Sequence, residues 1–220
     1  MNSLLETRKL RKSFGALVAT DGVTFDVREG ETHAVIGPNG AGKTTFIKQL
    51  SGELHPDTGS IHFAGEDITG LPWDRRSRKG LARSFQITSI YRDFSALDNV
   101  ALAVQAHAGH SFRFWRAARE DLSLRRPARQ VLEQVGLDKR ADVMAENLSH
   151  GEQRQLEIAM VLATRPRLML LDEPVAGMGT DESQRMIEFL ASLKGDKTIV
   201  LVEHDMDAVF SLADRISMLV

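Results

Sequence analysis

Apolar positions along this chain switch between two periods. Val23-Thr24-Phe25-Asp26-Val27 alternates faces as a half-buried strand does, Arg28-Glu29-Gly30-Glu31 turns the chain, and His33-Ala34-Val35-Ile36 is a short run fit for a buried strand. Phe46, Ile47 and Leu50 then give an apolar helical face. His55-Pro56-Asp57-Thr58-Gly59 is a turn cluster, followed by a predicted strand at Ser60 to Phe63 and another turn at Ala64-Gly65-Glu66. From about residue 86 to 150 the period becomes helical: Leu97, Val100, Ala101 and Val104 keep it, and Val131, Leu132, Val135 and Leu137 do so less strictly. Beyond Ser149 helix and strand alternate. Helices are predicted at Leu156 to Ala163, Asp181 to Lys194 and Met206 to Ala213, with strands at Leu168 to Leu171, Thr198 to Val202 and Arg215 to Val220. Such alternation implies a parallel sheet with helices on its faces. The expected organisation is one lobe built from residues 1–85 and 151–220, interrupted by a helical insertion at 86–150.

A parallel sheet predicts where chemistry sits, because ligands bind beyond the carboxyl ends of its strands. Three polar sequences follow predicted strands: the loop at Gly37, the pair Asp172-Glu173 and the pair Glu203-His204. The first reads Gly37-Pro38-Asn39-Gly40-Ala41-Gly42-Lys43-Thr44, with Thr45 next. Its glycines let successive N–H groups point at phosphate oxygens, and the helix that follows adds a partly positive N-terminus. Lys43 supplies a point charge for the outer phosphates and Thr44 a hydroxyl for Mg²⁺. An ordinary glycine-rich turn is the alternative, but strand, loop and helix in this order favour a nucleoside triphosphate site.

The apolar strand Leu168 to Leu171 ends in two acids, which are costly to bury unless paired or bound to metal. Mg²⁺ carried by a triphosphate meets that need: Asp172 would hold the ion and Glu173 would polarise the attacking water. His204, one residue past Glu203, reaches the same sheet edge and could donate to a phosphate oxygen, although a lone histidine is more often structural. The other six histidines show no metal-ligand spacing.

Composition adds exclusions. The 220 residues are 42% hydrophobic, enough for a sizeable core, and the net charge of −2 gives no global attraction to nucleic acid. Cysteine is absent, so disulfides and thiolate metal sites are unavailable. No stretch approaches about 20 consecutive apolar residues and no signal-peptide core precedes the first strand, so any membrane role is expected to be peripheral.

Leu148-Ser149-His150-Gly151-Glu152-Gln153 precedes the carboxylate strand by about twenty residues. One reading is a capping box, Ser149-x-x-Glu152, opening the next helix. The segment also resembles the signature motif of ATP-binding-cassette (ABC) ATPases, and with it the whole chain, Leu4 to Val220, falls into that family's order of motifs. The resemblance implies a P-loop NTPase α/β core with a mixed, largely parallel sheet, an N-terminal antiparallel β part and an inserted helical subdomain. It implies ATP and Mg²⁺ as cofactors. Phe14 would stack on adenine; the loop from Gly37 to Thr45 would hold the phosphates; Thr44, Gln86 and Asp172 would serve the metal; Glu173 would be the catalytic base and His204 the switch histidine. Ser149, Gly151 and Glu152 would meet the ATP held by Lys43 and Thr44 of a second, head-to-tail subunit.

The implied partners are a second ATPase subunit, transmembrane permease subunits and, indirectly, a solute-binding protein, at the cytoplasmic face of the membrane and without nucleic acid. Gly80 to Gln86 and Glu173 to Met178 resemble the branched-chain amino acid importer branch, with urea or short-amide importers close by. A soluble ABC protein acting on DNA or ribosomes is the alternative class; the long coiled coil or second cassette usual there is missing. A GTP switch ranks last for want of an Asn-Lys-x-Asp segment. Two departures stand out: His150 replaces the first glycine of the usual signature, and Gly179 stands where Asp is normal. The chain stops inside an expected strand, which suggests C-terminal truncation. Ser111 to Arg116 interleaves aromatics with arginines, as a docking patch or as an amphipathic helix packed on its own lobe.

Overall fold

The computed structural model describes residues 3–84, 90–108 and 121–220. Two long strands, β1 (Ser3–Phe14) and β2 (Leu17–Arg28), pair antiparallel, and β1 pairs on its other side with β4 (Thr58–Phe63), which carries the short β5 (Glu66–Asp67). A second sheet has the order β6-β7-β8-β3-β9, formed by Leu81–Arg83, Leu168–Asp172, Thr198–Val202, Thr32–Ile36 and Arg215–Met218. Every pairing in it is parallel. The expected arrangement is present: a core sheet, parallel among the described residues, and a separate N-terminal antiparallel part. Strands β7 and β8 are buried along their whole length, which is why they read as unbroken apolar runs.

The chain divides into two compact units. The first comprises residues 1–83, 167–173 and 190–220 and contains both sheets with helix α1 (Lys43–Ser51). Its core joins Phe46, Ile47 and Leu50 of α1 to Leu5, Leu10, Phe25, Val27, Ile61 and Phe63 of the antiparallel sheet and to Val35, Leu168, Leu170, Val200 and Val202 of the parallel one. Phe25 and Phe46 meet edge to face, 5.3 Å between centroids. The short α2 (Trp73–Arg78), which sequence periodicity did not signal, supplies Arg76. That side chain is fully buried and donates to the carbonyls of Gln49 and Leu50 at the end of α1 and of Thr69 and Leu71 in the loop before α2. Terminal helix carbonyls lack intrahelical partners, and a planar guanidinium satisfies several at once. Burial draws its pKa down to about 10.

The second unit, residues 84–166 and 174–189, is helical: α3 (Ala96–Ala108), α4 (Leu122–Gln134), α5 (His150–Ala163) and the first part of α6 (Thr180–Ser192). Leu97 and Val100 of α3, Leu124, Ala128 and Leu132 of α4, and Leu156 and Ala159 of α5 are buried. Helix α4 runs through Pro127, which removes one helical hydrogen bond without ending the helix. Buried Asn99 accepts the Tyr91 N–H and donates to the Tyr91 and Ser95 carbonyls, tying the start of α3 to the segment before it. Among the described residues no helix is long and apolar enough to cross a membrane.

Candidate functional site

The middle of the parallel sheet gathers the chemistry of the first unit. Strands β7 and β3 flank β8, and Asp172, Val202 and Val35 stand at the same level across them. The chain leaves β3 into the Gly37 loop, β7 into Glu173, and β8 into Glu203 and His204. Three stretches far apart in sequence therefore open on one edge of one sheet, as the alternation of elements predicted.

Residues Gly37 to Gly42 form the loop between β3 and α1, and Lys43, Thr44 and Thr45 begin the helix. Pro38, Asn39 and Gly40 are exposed. Gly42 caps the helix at φ 86°, and a Cβ there would lie 2.0 Å from the Ala19 carbonyl oxygen, so only glycine fits without moving β2. The Lys43 ammonium folds back over the loop and donates to the carbonyls of Gly37 at 2.6 Å and Pro38 at 3.0 Å. A cation held above a turn of backbone beside a helix N-terminus is a seat for an anion of high charge. Phe14 stands at the tip of the β1–β2 hairpin, 50% exposed, with the Lys12 ammonium 5.8 Å from its ring centroid. Asp57 holds that tip by accepting from the Ser13 N–H at 2.8 Å and from Lys12 at 2.6 Å.

At the end of β7, Asp172 is 1% exposed, and the Arg83 guanidinium lies 3.1 Å from its Oδ2. Arg83 also meets Glu53 at 2.6 Å, so one nearly buried cation joins β6, β7 and the end of α1. Sequence reading missed Arg83, because the three-residue strand β6 that carries it is too short to show a period. Glu173 has φ 50°, a conformation few non-glycine residues adopt, and its N–H donates to the Val202 carbonyl at 2.8 Å. Strain of this kind persists where its surroundings enforce it, here by turning the carboxylate out of the strand line. His204 Nδ1 lies 3.6 Å from Glu173 Oε1. Beneath them buried Glu203 accepts the His204 N–H at 3.0 Å, so it braces the turn that presents the histidine.

The donor set fits Mg²⁺ bound together with phosphates. That ion takes hard oxygens, commonly one or two carboxylates while phosphate and water complete its shell, and Thr44 and Asp172 supply a hydroxyl and a carboxylate. Gln86 lies outside the described residues, as do Ser111 to Arg116.

In the helical unit both readings of the Ser149 segment are compatible. Ser149 Oγ accepts the Glu152 N–H at 3.2 Å and Glu152 accepts the Ser149 N–H at 2.8 Å, a complete capping box at the start of α5. Arg140 pairs with the Glu152 carboxylate at 2.9 Å, so Glu152 shapes the helix end. A Cβ on Gly177 would meet the His150 ring at 3.3 Å, which places that ring against the segment after Glu173. Gly179 has open space around it.

Comparison with known proteins follows the same lines. The sequence model of the ABC transporter family matches residues 20–176. The high-affinity branched-chain amino acid transport ATP-binding protein BraF of Pseudomonas aeruginosa is 38% identical over 97% of this chain and 86% of its own length. Its counterpart LivG of Escherichia coli K12 is 35% identical over the same shares. Among solved structures, an ATP-binding cassette of an ABC transporter in its ADP conformation superposes with a TM-score of 0.87 at 28% identity, covering 100% of this chain and 88% of that one.

Proposed function

Since this chain belongs to the ABC transporter family of ATPases, we propose that it is the ATP-binding and ATP-hydrolysing subunit of an importer for branched-chain amino acids. One observation carries the site assignment: three adjacent parallel strands deliver a phosphate-seating loop, a strand-end carboxylate pair and a histidine to one edge. Identity of about a third with BraF and LivG over nearly the whole chain supports the cargo class.

In this reading Phe14 stacks on the adenine, and Lys43 leaves the Gly37 and Pro38 carbonyls to pair with the outer phosphates. Thr44 and Asp172 hold Mg²⁺, with Gln86 as a further contributor; when bound, the ion neutralises charge on the phosphates. Glu173 accepts a proton from the attacking water. His204, which faces Glu173, orients against the terminal phosphate. Ser149 and Gly151, with the N-terminus of α5, close on the ATP held by a second cassette, either another copy or a paralogous subunit. Closure on ATP and opening after hydrolysis move the permease subunits at the cytoplasmic face of the membrane.

The test is reconstitution of the chain with its permease subunits in vesicles, with the solute-binding protein loaded with leucine. ATP turnover and leucine uptake should rise together. Glu173→Gln should keep ATP binding and abolish turnover, and Lys43→Ala should weaken binding itself. Unchanged hydrolysis by Glu173→Gln would remove that residue as the base; stimulated turnover without leucine uptake would remove the cargo assignment.

A further inference from the structure

The N-terminus of α5 holds a carboxylate from its own chain. Glu182, the third residue of α6, places Oε1 3.4 Å from the Ser149 hydroxyl. It also packs flat on Gly151: a Cβ there would lie 2.7 Å from Glu182 Cδ and 2.8 and 2.9 Å from its two oxygens. Glycine at 151 thus leaves a hollow that an anion fills, and the anion filling it is Glu182. Among the described residues no lysine, arginine or histidine forms an ion pair with this carboxylate. What faces it is a serine hydroxyl and the partly positive end of a fourteen-residue helix.

These are the groups that the proposed composite site offers to the terminal phosphate of a second subunit's ATP. A carboxylate and a phosphate cannot share the hollow, since both are anions and a single Cβ would already collide there. We infer that Glu182 is an internal competitor for the anion seat on α5, a carboxylate that must swing away before the ATP sandwich closes and that thereby sets the ATP concentration at which two cassettes pair. The inference rests on the composite-site reading above. It also gives Glu182 a role that no motif spacing signalled, because the residue lies 33 positions from Ser149 and meets it only through the packing of α6 beside α5.

Full-length chain carrying Glu173→Gln, which halts turnover, provides the test. Its pairing, with itself or with the second cassette of its transporter, is followed by light scattering across a titration of ATP with Mg²⁺. Adding Glu182→Gln, which keeps shape and removes charge, should lower the ATP midpoint about fivefold, the scale of a charge at a helix end. Glu182→Ala should act likewise, and Glu188→Gln on the exposed side of α6 should leave the midpoint where it was. Thermal melting of each variant without nucleotide checks that α6 stays folded. A midpoint that rises, or that stays within about twofold in both Glu182 variants, overturns the inference while leaving the sandwich standing. Failure of the Glu173→Gln chain to pair at any ATP concentration overturns the composite site and the inference with it.

Discussion

Replacing Arg76 by methionine probes how the phosphate-loop helix is anchored. The guanidinium is 0% exposed and makes four hydrogen bonds to carbonyls, at 2.7 to 2.9 Å, joining the last turn of α1 to the loop before α2. Hydrogen bonds from a charged donor contribute about 1.5 kcal/mol each at the low end, or about 6 kcal/mol together. Desolvating the cation takes back about half of that, leaving a net loss of about 3 kcal/mol when methionine fills the space. The depressed pKa of about 10 is the signature of that opposing cost. For a chain of this size about 3 kcal/mol lowers the melting temperature by about 6–12 °C, readable by circular dichroism or calorimetry. Arg76→Lys should recover less than half, since one ammonium offers three donors from a single point and cannot span the four acceptors. A fall below about 2 °C for Arg76→Met would refute the claim that this side chain caps α1.

Two further perturbations reach other parts of the unit. His33 is buried, with Nδ1 3.0 Å from the Asp26 carbonyl and 3.3 Å from the Arg215 guanidinium, and Nε2 2.9 Å from the Ser217 hydroxyl. Burial, and then the Arg215 cation, hold its pKa below the ordinary 6.5, against the opposing pull of Glu31 and Asp26. Below pH 6.5 the unfolded chain therefore binds a proton that the folded chain refuses, and stability falls with pH until the depressed folded value is passed. The urea midpoint should drop between pH 7 and 5 more steeply in the wild type than in His33→Gln, and equal slopes would exclude the histidine as the cause. Gly42→Ala should weaken ATP binding about tenfold or more, because the new Cβ would sit 2.0 Å from the Ala19 carbonyl oxygen at a φ of 86°. Fluorescent-nucleotide titration checks it, and an affinity within about twofold of wild type would show that the loop tolerates a side chain there.

Much of the site was legible because its signals are local. The Gly37 to Thr44 spacing, the acids after an apolar strand and the Ser149-x-x-Glu152 box each lie within eight consecutive residues. Backbone chemistry over so short a span is governed by which residues permit a turn or cap a helix. The alternation of β7, α6, β8, α7 (Met206–Leu212) and β9 likewise showed a parallel sheet and the edge at which its loops meet. The family resemblance added Phe14 and Gln86, which no periodicity marks.

Tertiary structure alone decided which distant side chains meet. Helix α5 carries the signature segment and was expected with the catalytic strands; its buried Leu156 and Ala159 lie in the helical unit with α3 and α4. An amphipathic stripe reveals that a partner exists and leaves its identity open. The Arg83 bridge between Glu53 and Asp172, the four carbonyls gathered by Arg76, and Glu182 on Gly151 share that character. Each joins residues between 5 and 89 positions apart, and the partners of the buried Arg76 and Arg83 side chains compensate charges that packing removed from water. The sequence specified that these charges exist and that its strands would bury their surroundings. Only the closed packing of helices and sheets selected their partners, because compensation depends on distances of about 3 Å, which pattern and period do not encode.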